Sequence, residues 1–383
     1  MATSTETDFL TEIIQLRHEF HQNPELSNQE FQTTKRITEI LTDWQIPIEK
    51  TDLDTGLLAV IEGTEPGPTI ALRADIDALP IQEQTDIPFK SQNPGVMHAC
   101  GHDLHLASLL GAAYQLNQQK DSLKGTIKLL FQPAEEVGHG GDQVLDKHVL
   151  DGVEAIIGFH NQPDLLVGEI ALKSGALMAG CYHFDITIEG KGAHAAQPQN
   201  GTDVVVTQAA IVTQLQTIVS RNQDPFHAVV VSVTKVNAGK TWNVLPETAT
   251  LEGTVRTFNQ ADTEKAKQRL IQIAKNTAAT YNQTATVNWT TGADPINNNE
   301  KITNLVKQGL TKKVTQPKLT MTAEDFATFE TKIPGTFAFI GSNGAKKAKG
   351  VHDPNYKGKD ETIKTGIQYF IESAKSVLEG LDK

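Results

Sequence analysis

His98-Ala99-Cys100-Gly101-His102-Asp103-Leu104-His105 places one thiol, three imidazoles and a carboxylate within eight residues. Packing alone has no use for so many donors in one place. Thiolate and imidazole are the side chains best suited to a divalent transition metal. Two more stretches belong with it: Pro133-Ala134-Glu135-Glu136, with His160 behind it, and Val351-His352-Asp353-Pro354. We read all three as one metal site assembled from distant parts of the chain.

Outward from this stretch, the pattern of apolar residues predicts the fold. A helix is expected over about Asp8–His21, with Phe9, Leu10, Ile13, Leu16 and Phe20 inward. A second is expected from Ser27, where Ser27 and Glu30 have the spacing of a capping box. Short apolar runs at Leu57–Ile61, Thr69–Ala74, Thr126–Phe131 and Ala155–Phe159 read as buried strands. Helices are expected at about Leu104–Leu116 and after Gly141. Buried strands alternating with helices predict a largely parallel α/β sheet. From about Tyr182 to Thr291 the order changes to strand, helix, two strands, helix, strand. That is the ferredoxin-like βαββαβ arrangement. The expected division is therefore a large α/β-sheet domain, 1–181 and 292–383, interrupted by a smaller inserted domain, 182–291. A helix near Glu300–Leu310, a strand at Gly335–Ile340 and a helix at about Glu361–Leu378 complete the larger part.

Position strengthens the metal reading. Asp75 and Asp77, Glu135 and Glu136, and His160 each follow the expected carboxyl end of a strand, the edge at which open α/β sheets bind ligands. Glu135-Glu136 is flanked by Gln132-Pro133 and by Gly138, Gly140 and Gly141, which is loop chemistry and not a solvated helix face. A structural zinc knob uses paired C-x-x-C motifs, and this chain has none. A mixed shell of sulfur, nitrogen and oxygen suits an open catalytic site. Adjacent glutamates let one hold metal while the other moves protons. His18, His148, His183 and His227 are assigned no such role.

Composition narrows the alternatives. A chain of 383 residues exceeds one ordinary core. The net charge is −12, from 34 basic and 46 acidic residues with no basic stripe, which argues against nucleic acid. No run of about 18 apolar residues suggests a membrane span. The start, Met1 to Asp8, is polar and acidic and lacks a secretory pattern. Only Cys100 and Cys181 are present, so a reduced cytoplasmic setting is expected in place of a disulfide framework. Gly190-Lys191-Gly192-Ala193-His194-Ala195 mimics a dinucleotide-binding turn, but Pro198 and Asn200-Gly201 intervene before the next helix. There is no G-x-S-x-G elbow.

With these residues in hand, the chain resembles the metal-dependent amidohydrolases related to aminoacylase and carboxypeptidase G. Within them it is most similar to the branch of hippurate hydrolase, indoleacetyl-amino-acid hydrolases and N-acetyldiaminopimelate deacetylase. The matching segments are Arg73–Pro80, Met97–His105, Phe131–Glu136, Gly190–Ala195, Asn243–Pro246, Glu252–Phe258, Met321–Phe326 and Val351–Pro354. The resemblance implies Cys100, His102, Glu136, His160 and His352 as ligands of one or two divalent metals, and Glu135 as general base. Sulfur ligation favours zinc, with manganese, cobalt and nickel also open. Asp75 stands where more distant relatives carry a histidine ligand, so its role is open. Asp77 is expected to orient an imidazole. The resemblance implies that the larger domain is catalytic and the inserted one a lid or dimerisation domain. In relatives the lid often mediates dimers and sends a histidine into the partner's active site. His194 matches it, and a homodimer or higher homo-oligomer is expected for this chain. The implied reaction is hydrolysis of the amide bond of an N-acetyl- or N-benzoyl-type amino acid. Deacetylation of N-acetyldiaminopimelate, or a dipeptidase or carboxypeptidase activity with the same site, is the alternative. An acyl amino acid is an anion, so a cation must hold its carboxylate. Arg256, on the polar face of its strand, is the candidate, with Asn243 as a second substrate contact.

Overall fold

Long apolar runs are buried where they form the middle of one sheet. In the computed structural model, which describes residues 4–345 and 347–382, the chain divides into two compact units. Met1–Thr3, Lys346 and Lys383 lie outside the described residues, and with them part of the acidic start and of the lysine run at 346–349.

The first unit comprises Met1–Gly175, Asn297–Lys318 and Asp325–Lys383. Its eight strands lie in the spatial order Ile48–Glu49, Leu57–Glu62, Lys124–Gln132, Glu65–Asp75, Ala155–Leu166, Gly335–Asn343, Ile170–Ala171 and Val314–Thr315. The four inner strands, from Lys124–Gln132 to Gly335–Asn343, are mutually parallel. Toward the edges, Ile48–Glu49, Leu57–Glu62 and Ile170–Ala171 pair antiparallel to a neighbour. The sheet is thus mixed, with the expected parallel pairing confined to its centre. Helices Ser4–Gln22, His102–Gln118, Glu300–Gly309 and Glu361–Leu381 cover one face, and the short helices Gly140–Asp146 and Phe326–Glu330 lie against the other. Ile70, Leu72, Ile127, Leu129, Ile157 and Ile340 form the core with Leu106, Leu109, Leu110, Ile363 and Phe370. Truncating any one of the fully buried leucines or isoleucines to alanine would cost about 2–5 kcal/mol.

The expected capping box does not form. The second helix begins at Phe31, four residues beyond Ser27, and Glu30 makes no side-chain cap. Ser27 Oγ donates instead to Asp77 Oδ2 at 2.7 Å. The Glu30 carboxylate accepts from Thr55 Oγ1 and from Ala134 N, each at 2.8 Å. Two residues with the spacing of a local cap make long-range bonds, because buried donors elsewhere claim them.

The second unit comprises Ala176–Ile296 and Leu319–Glu324. Its sheet is antiparallel, in the order Val230–Ala238, Thr248–Thr257, Gly180–Glu189, Thr284–Ala293. Numbered along the chain, that is second, third, first, fourth, the ferredoxin-like topology. Helices Val204–Leu215 and Gln260–Thr280 pack on it, capped by the side chains of Asp203 and Asn259. Along the chain its first sheet strand begins at Gly180 and its last ends at Ala293. The glycine-rich turn at 190–195 does not open a helix: Ala193–His194 pairs with Val244–Leu245, and the helix starts at Val204.

Gly101 links fold and site. It caps the helix His102–Gln118 with φ +85°, and a Cβ there would lie 2.5 Å from Asn161 Nδ2 and 2.6 Å from the Tyr356 hydroxyl. Gly101→Ala is therefore expected to lose at least about 1–2 kcal/mol from the left-handed backbone alone, with more from the clash. A lowered urea midpoint would check it; an unchanged one would contradict it.

Candidate active site

All of the donor-rich stretches except the glycine turn lie in the first unit, at the carboxyl edge of its parallel strands. The strand Glu65–Asp75 delivers Asp75 and, two residues on, Asp77. The strand Lys124–Gln132 leads into a short turn over Glu135–Val137, entered through Ala134 at φ 57° and left through Gly138 at φ 70°. A non-glycine residue in the left-handed region is uncommon, and the Glu30 carboxylate on Ala134 N helps to hold this one. His160 does not follow the end of its strand as expected. The strand continues to Leu166, but pairing with Glu65–Asp75 stops at Ile157, so His160 is not paired on that side. His352 is exposed, at φ 68°, and is tied in by its backbone N–H on the Ala99 carbonyl at 2.8 Å.

These elements bring Cys100, His102, Glu136, His160 and His352 together. Cys100 Sγ lies 3.3 Å from His160 Nε2 and 3.3 Å from His352 Nε2. His352 Nε2 is 3.4 Å from Glu136 Oε2. His102 Nε2 is 3.8 Å from Glu136 Oε1 and 3.8 Å from Glu135 Oε2. Donor atoms of Cys100, His102 and His160 all fall within 4.8 Å of one another, as do those of Cys100, Glu136 and His352.

Hydrogen bonds on the far side of the His102 and His160 rings aim their near sides inward. His102 Nδ1 donates to the Asp77 carbonyl at 2.9 Å and lies 3.2 Å from its Oδ1. Asp77 Oδ2 accepts from Glu136 N at 3.0 Å, so one carboxylate orients both an imidazole and the glutamate turn. His160 Nδ1 donates to the Asn161 carbonyl at 2.6 Å, leaving the Nε2 lone pair toward Cys100. Burial, with the neighbouring His105, pushes the His160 imidazole down to about 3, so it is neutral. Burial opposes charge on His102 as well, but Asp75, the hydrogen bond to Asp77 and the nearby Glu136 outweigh it and hold that ring protonated well above the usual range. Burial likewise opposes the charge of Asp77; bonds from His102, Ser27 and Glu136 N keep its carboxyl below the usual range.

Asp75 faces the cluster at 3.7 Å from His102 Nε2, but its oxygens are already engaged. Oδ2 accepts from Arg73 at 2.7 Å and Oδ1 from His105 Nδ1 at 2.6 Å. The other nitrogen of His105 accepts from Asn161 N at 2.9 Å, so this third imidazole of the motif braces the site and offers no free lone pair. Arg73 is fully buried and also donates to Gln132 at 2.6 Å and to Asp325 at 2.8 Å. Asp325 accepts in turn from Gly141 N at 2.8 Å. Asp103 turns away from the cluster to Arg17, at 2.7 Å, and to His21, at 2.9 Å. Arg73, Asn161 and Asp325 were given no role from the sequence, and His105 entered only as one imidazole of the donor motif. Arg73 and Asp325 lie within segments that carry the family resemblance, Arg73–Pro80 and Met321–Phe326.

His194, Asn243 and Arg256 belong to the second unit. Ala195 N donates to the Asn243 carbonyl at 3.0 Å, which keeps His194 and Asn243 adjacent. His194 Nδ1 accepts from Ala196 N at 3.1 Å, leaving the proton on Nε2. Arg256 is half-buried on the polar face of its strand and donates to Thr254 Oγ1.

Two polar atoms in the cluster, His102 Nε2 and Glu136 Oε1, are buried without a hydrogen-bond partner. A buried orphan costs about 1–3 kcal/mol, and two facing one point together with a thiol and further imidazoles suit a divalent transition metal. The family model for "Peptidase family M20/M25/M40" matches residues 71–376.

The chain belongs to peptidase family M20/M25/M40.

As a member of that family it is a metal-dependent amidohydrolase that takes one or two divalent metals. It is 47% identical over 372 residues to N-acetyl-L-cysteine deacetylase of Bacillus subtilis, covering 96% of this chain and 88% of that one. It is 36% identical to N-acetyldiaminopimelate deacetylase of Oenococcus oeni over 93% of this chain and 96% of that one. Among solved structures, a dinuclear metal binding peptidase of the M20 family from Bacillus subtilis superposes with a TM-score of 0.88 at 41% identity, over 97% of this chain and 99% of that one.

Asp75, Asp77 and Glu136 favour a proton on His102, so a metal that bound at its Nε2 would have to displace that proton. Zinc affinity is expected to rise roughly tenfold per pH unit near neutrality for each proton displaced. Calorimetric titration in buffers of different ionisation enthalpy would check this; binding without proton release would contradict it.

Proposed function

We propose that this family member removes the acyl group from N-acyl amino acids, of acetyl or benzoyl type, releasing a carboxylic acid and a free amino acid. Cys100, His102, Glu136, His160 and His352 are the metal ligands in this reading. The observation that carries it is the pair of adjacent glutamates: Glu136 faces Cys100 and His352 within the donor cluster, while Glu135 stands beside it as a second, buried carboxylate. A bare metal store has no use for Glu135. The acyl-amino-acid substrate is supported by the two deacetylases named above.

A bound divalent metal supplies Lewis acidity and brings the pKa of water from about 15.7 toward about 7. Glu135 takes the proton of the attacking water and passes it to the nitrogen of the departing amino acid. His194, with its proton on Nε2, donates to the oxygen of the carbonyl under attack. We assign it to the lid of a second copy in a homodimer or higher homo-oligomer. Arg256 and Asn243 hold the substrate carboxylate. Among the described residues neither Cys100 nor Cys181 forms a disulfide, which supports the cytoplasm as the setting. Among the described residues no helix is long and apolar enough to cross a membrane.

Glu135→Gln is expected to retain metal, by elemental analysis, and to lose about two or more decades in kcat, the scale of acid–base catalysis. Near-normal turnover would remove Glu135 as the base. Arg256→Ala is expected to raise KM for acyl amino acids while leaving a neutral amide unaffected; an equal rise for both would remove carboxylate binding from Arg256. A panel of N-acetyl, N-benzoyl and indoleacetyl amino acids, N-acetyldiaminopimelate and dipeptides tests the substrate class. Turnover of dipeptides alone would overturn the deacylase reading.

A further inference from the structure

Asn161 follows His160 in the strand Ala155–Leu166 and is fully buried. Its carboxamide bonds on both sides. Nδ2 donates to the Cys100 carbonyl at 2.6 Å. Oδ1 accepts from Ser342 Oγ at 2.9 Å and from the Tyr356 hydroxyl at 2.5 Å. Its main chain is equally committed, to His105 Nε2 through N–H and to His160 Nδ1 through the carbonyl. One residue therefore touches the segment carrying Cys100, its neighbour His160, and both ends of the stretch 342–356 that bears His352. The Asn161 carboxamide also occupies the space that a side chain at Gly101 would need.

Only a carboxamide fits this place. It needs a donor facing the Cys100 carbonyl and an acceptor facing two hydroxyls. Leucine would leave the Cys100 carbonyl without its carboxamide donor and both hydroxyls without that acceptor, and aspartate would set a carboxylate against a carbonyl. The Cys100 carbonyl and its Sγ share one Cα, so fixing the carbonyl restricts where the sulfur can point. That matters because Sγ meets two imidazole nitrogens at 3.3 Å each, and such constellations tolerate displacements of only about 0.5 Å.

We propose that Asn161 is a positioning residue that aims the Cys100 sulfur by holding that residue's carbonyl. The proposal rests on the reading of Cys100 as a metal ligand. Residues that orient ligands cost about 10–100-fold in metal affinity when changed.

The test titrates metal-free full-length protein with Co²⁺ alone and follows thiolate-to-cobalt charge-transfer absorption, an observable that needs no substrate. Wild type should show the band and Cys100→Ser should lack it. Asn161→Asp should bind Co²⁺ about 10–100-fold more weakly, with the band shifted or diminished, while circular dichroism stays native. Tyr356→Phe removes one hydroxyl from Oδ1 and should weaken binding less, with a smaller shift of the same band. If Asn161→Asp fails to fold, Tyr356→Phe decides by the same two readouts. Wild-type affinity and an unshifted band in the folded variants would overturn the proposal. Absence of the band in wild type would instead overturn Cys100 as a ligand, and the proposal with it.

Discussion

Two buried atoms without hydrogen-bond partners, His102 Nε2 and Glu136 Oε1, are the constraint to which the rest of this structure answers. A folded chain normally satisfies such atoms. Here the surrounding groups are spent elsewhere. Asp75 is held by Arg73 and His105, and Asp77 by Ser27, His102 and Glu136 N. The neighbours are saturated so that the ligand-facing atoms remain open. On the ligand reading proposed above, a bound metal would recover the cost of that arrangement and link metal binding to the stability of this edge of the sheet.

The supporting bonds come from far along the chain. Glu30 reaches the turn before Glu135, Ser27 reaches Asp77, and Asp325 reaches Arg73, Gln132 and Gly141. Below the metal motif, Arg17 and His21 receive Asp103, and burial of that carboxylate is outweighed by their charges, which hold it well below the usual range. None of these residues is in the donor cluster. They convert loop backbone, which would otherwise be mobile, into fixed positions for the donors. Ala134 and His352, both non-glycine residues with positive φ, mark where the chain is bent most to serve the cluster.

Much of the fold was legible because the periodicity is strong. The buried strands and the βαββαβ order of the second unit follow from apolar runs and alternation, which burial enforces wherever a sheet has a covered face. The Ser27–Glu30 spacing misled because local propensity knows nothing of Asp77 and Ala134, which compete for the same oxygens. The extension of the His160 strand to Leu166 was missed for a related reason: the polar stretch Asn161-Gln162-Pro163-Asp164 reads as a loop, yet pairing with Gly335–Asn343 carries it on. In the site, the residue types of the donor cluster were visible as chemistry. Arg73, Asn161 and Asp325 were not, since a buried polar residue that braces others has no signature in its own neighbourhood.

What the sequence by itself determined is the inventory: a thiol, imidazoles and paired carboxylates beside strand ends, in a chain whose pattern builds an α/β sheet with an inserted ferredoxin-like unit. What only the tertiary structure decided is which ring nitrogens and carboxylate oxygens are left without a hydrogen-bond partner. His105 and His102 are three residues apart in one motif, yet one has both nitrogens engaged and the other keeps Nε2 open. That difference arises from partners at 75, 77 and 161, brought in by strand pairing, because a hydrogen bond is settled by geometry at about 3 Å and not by distance along the chain.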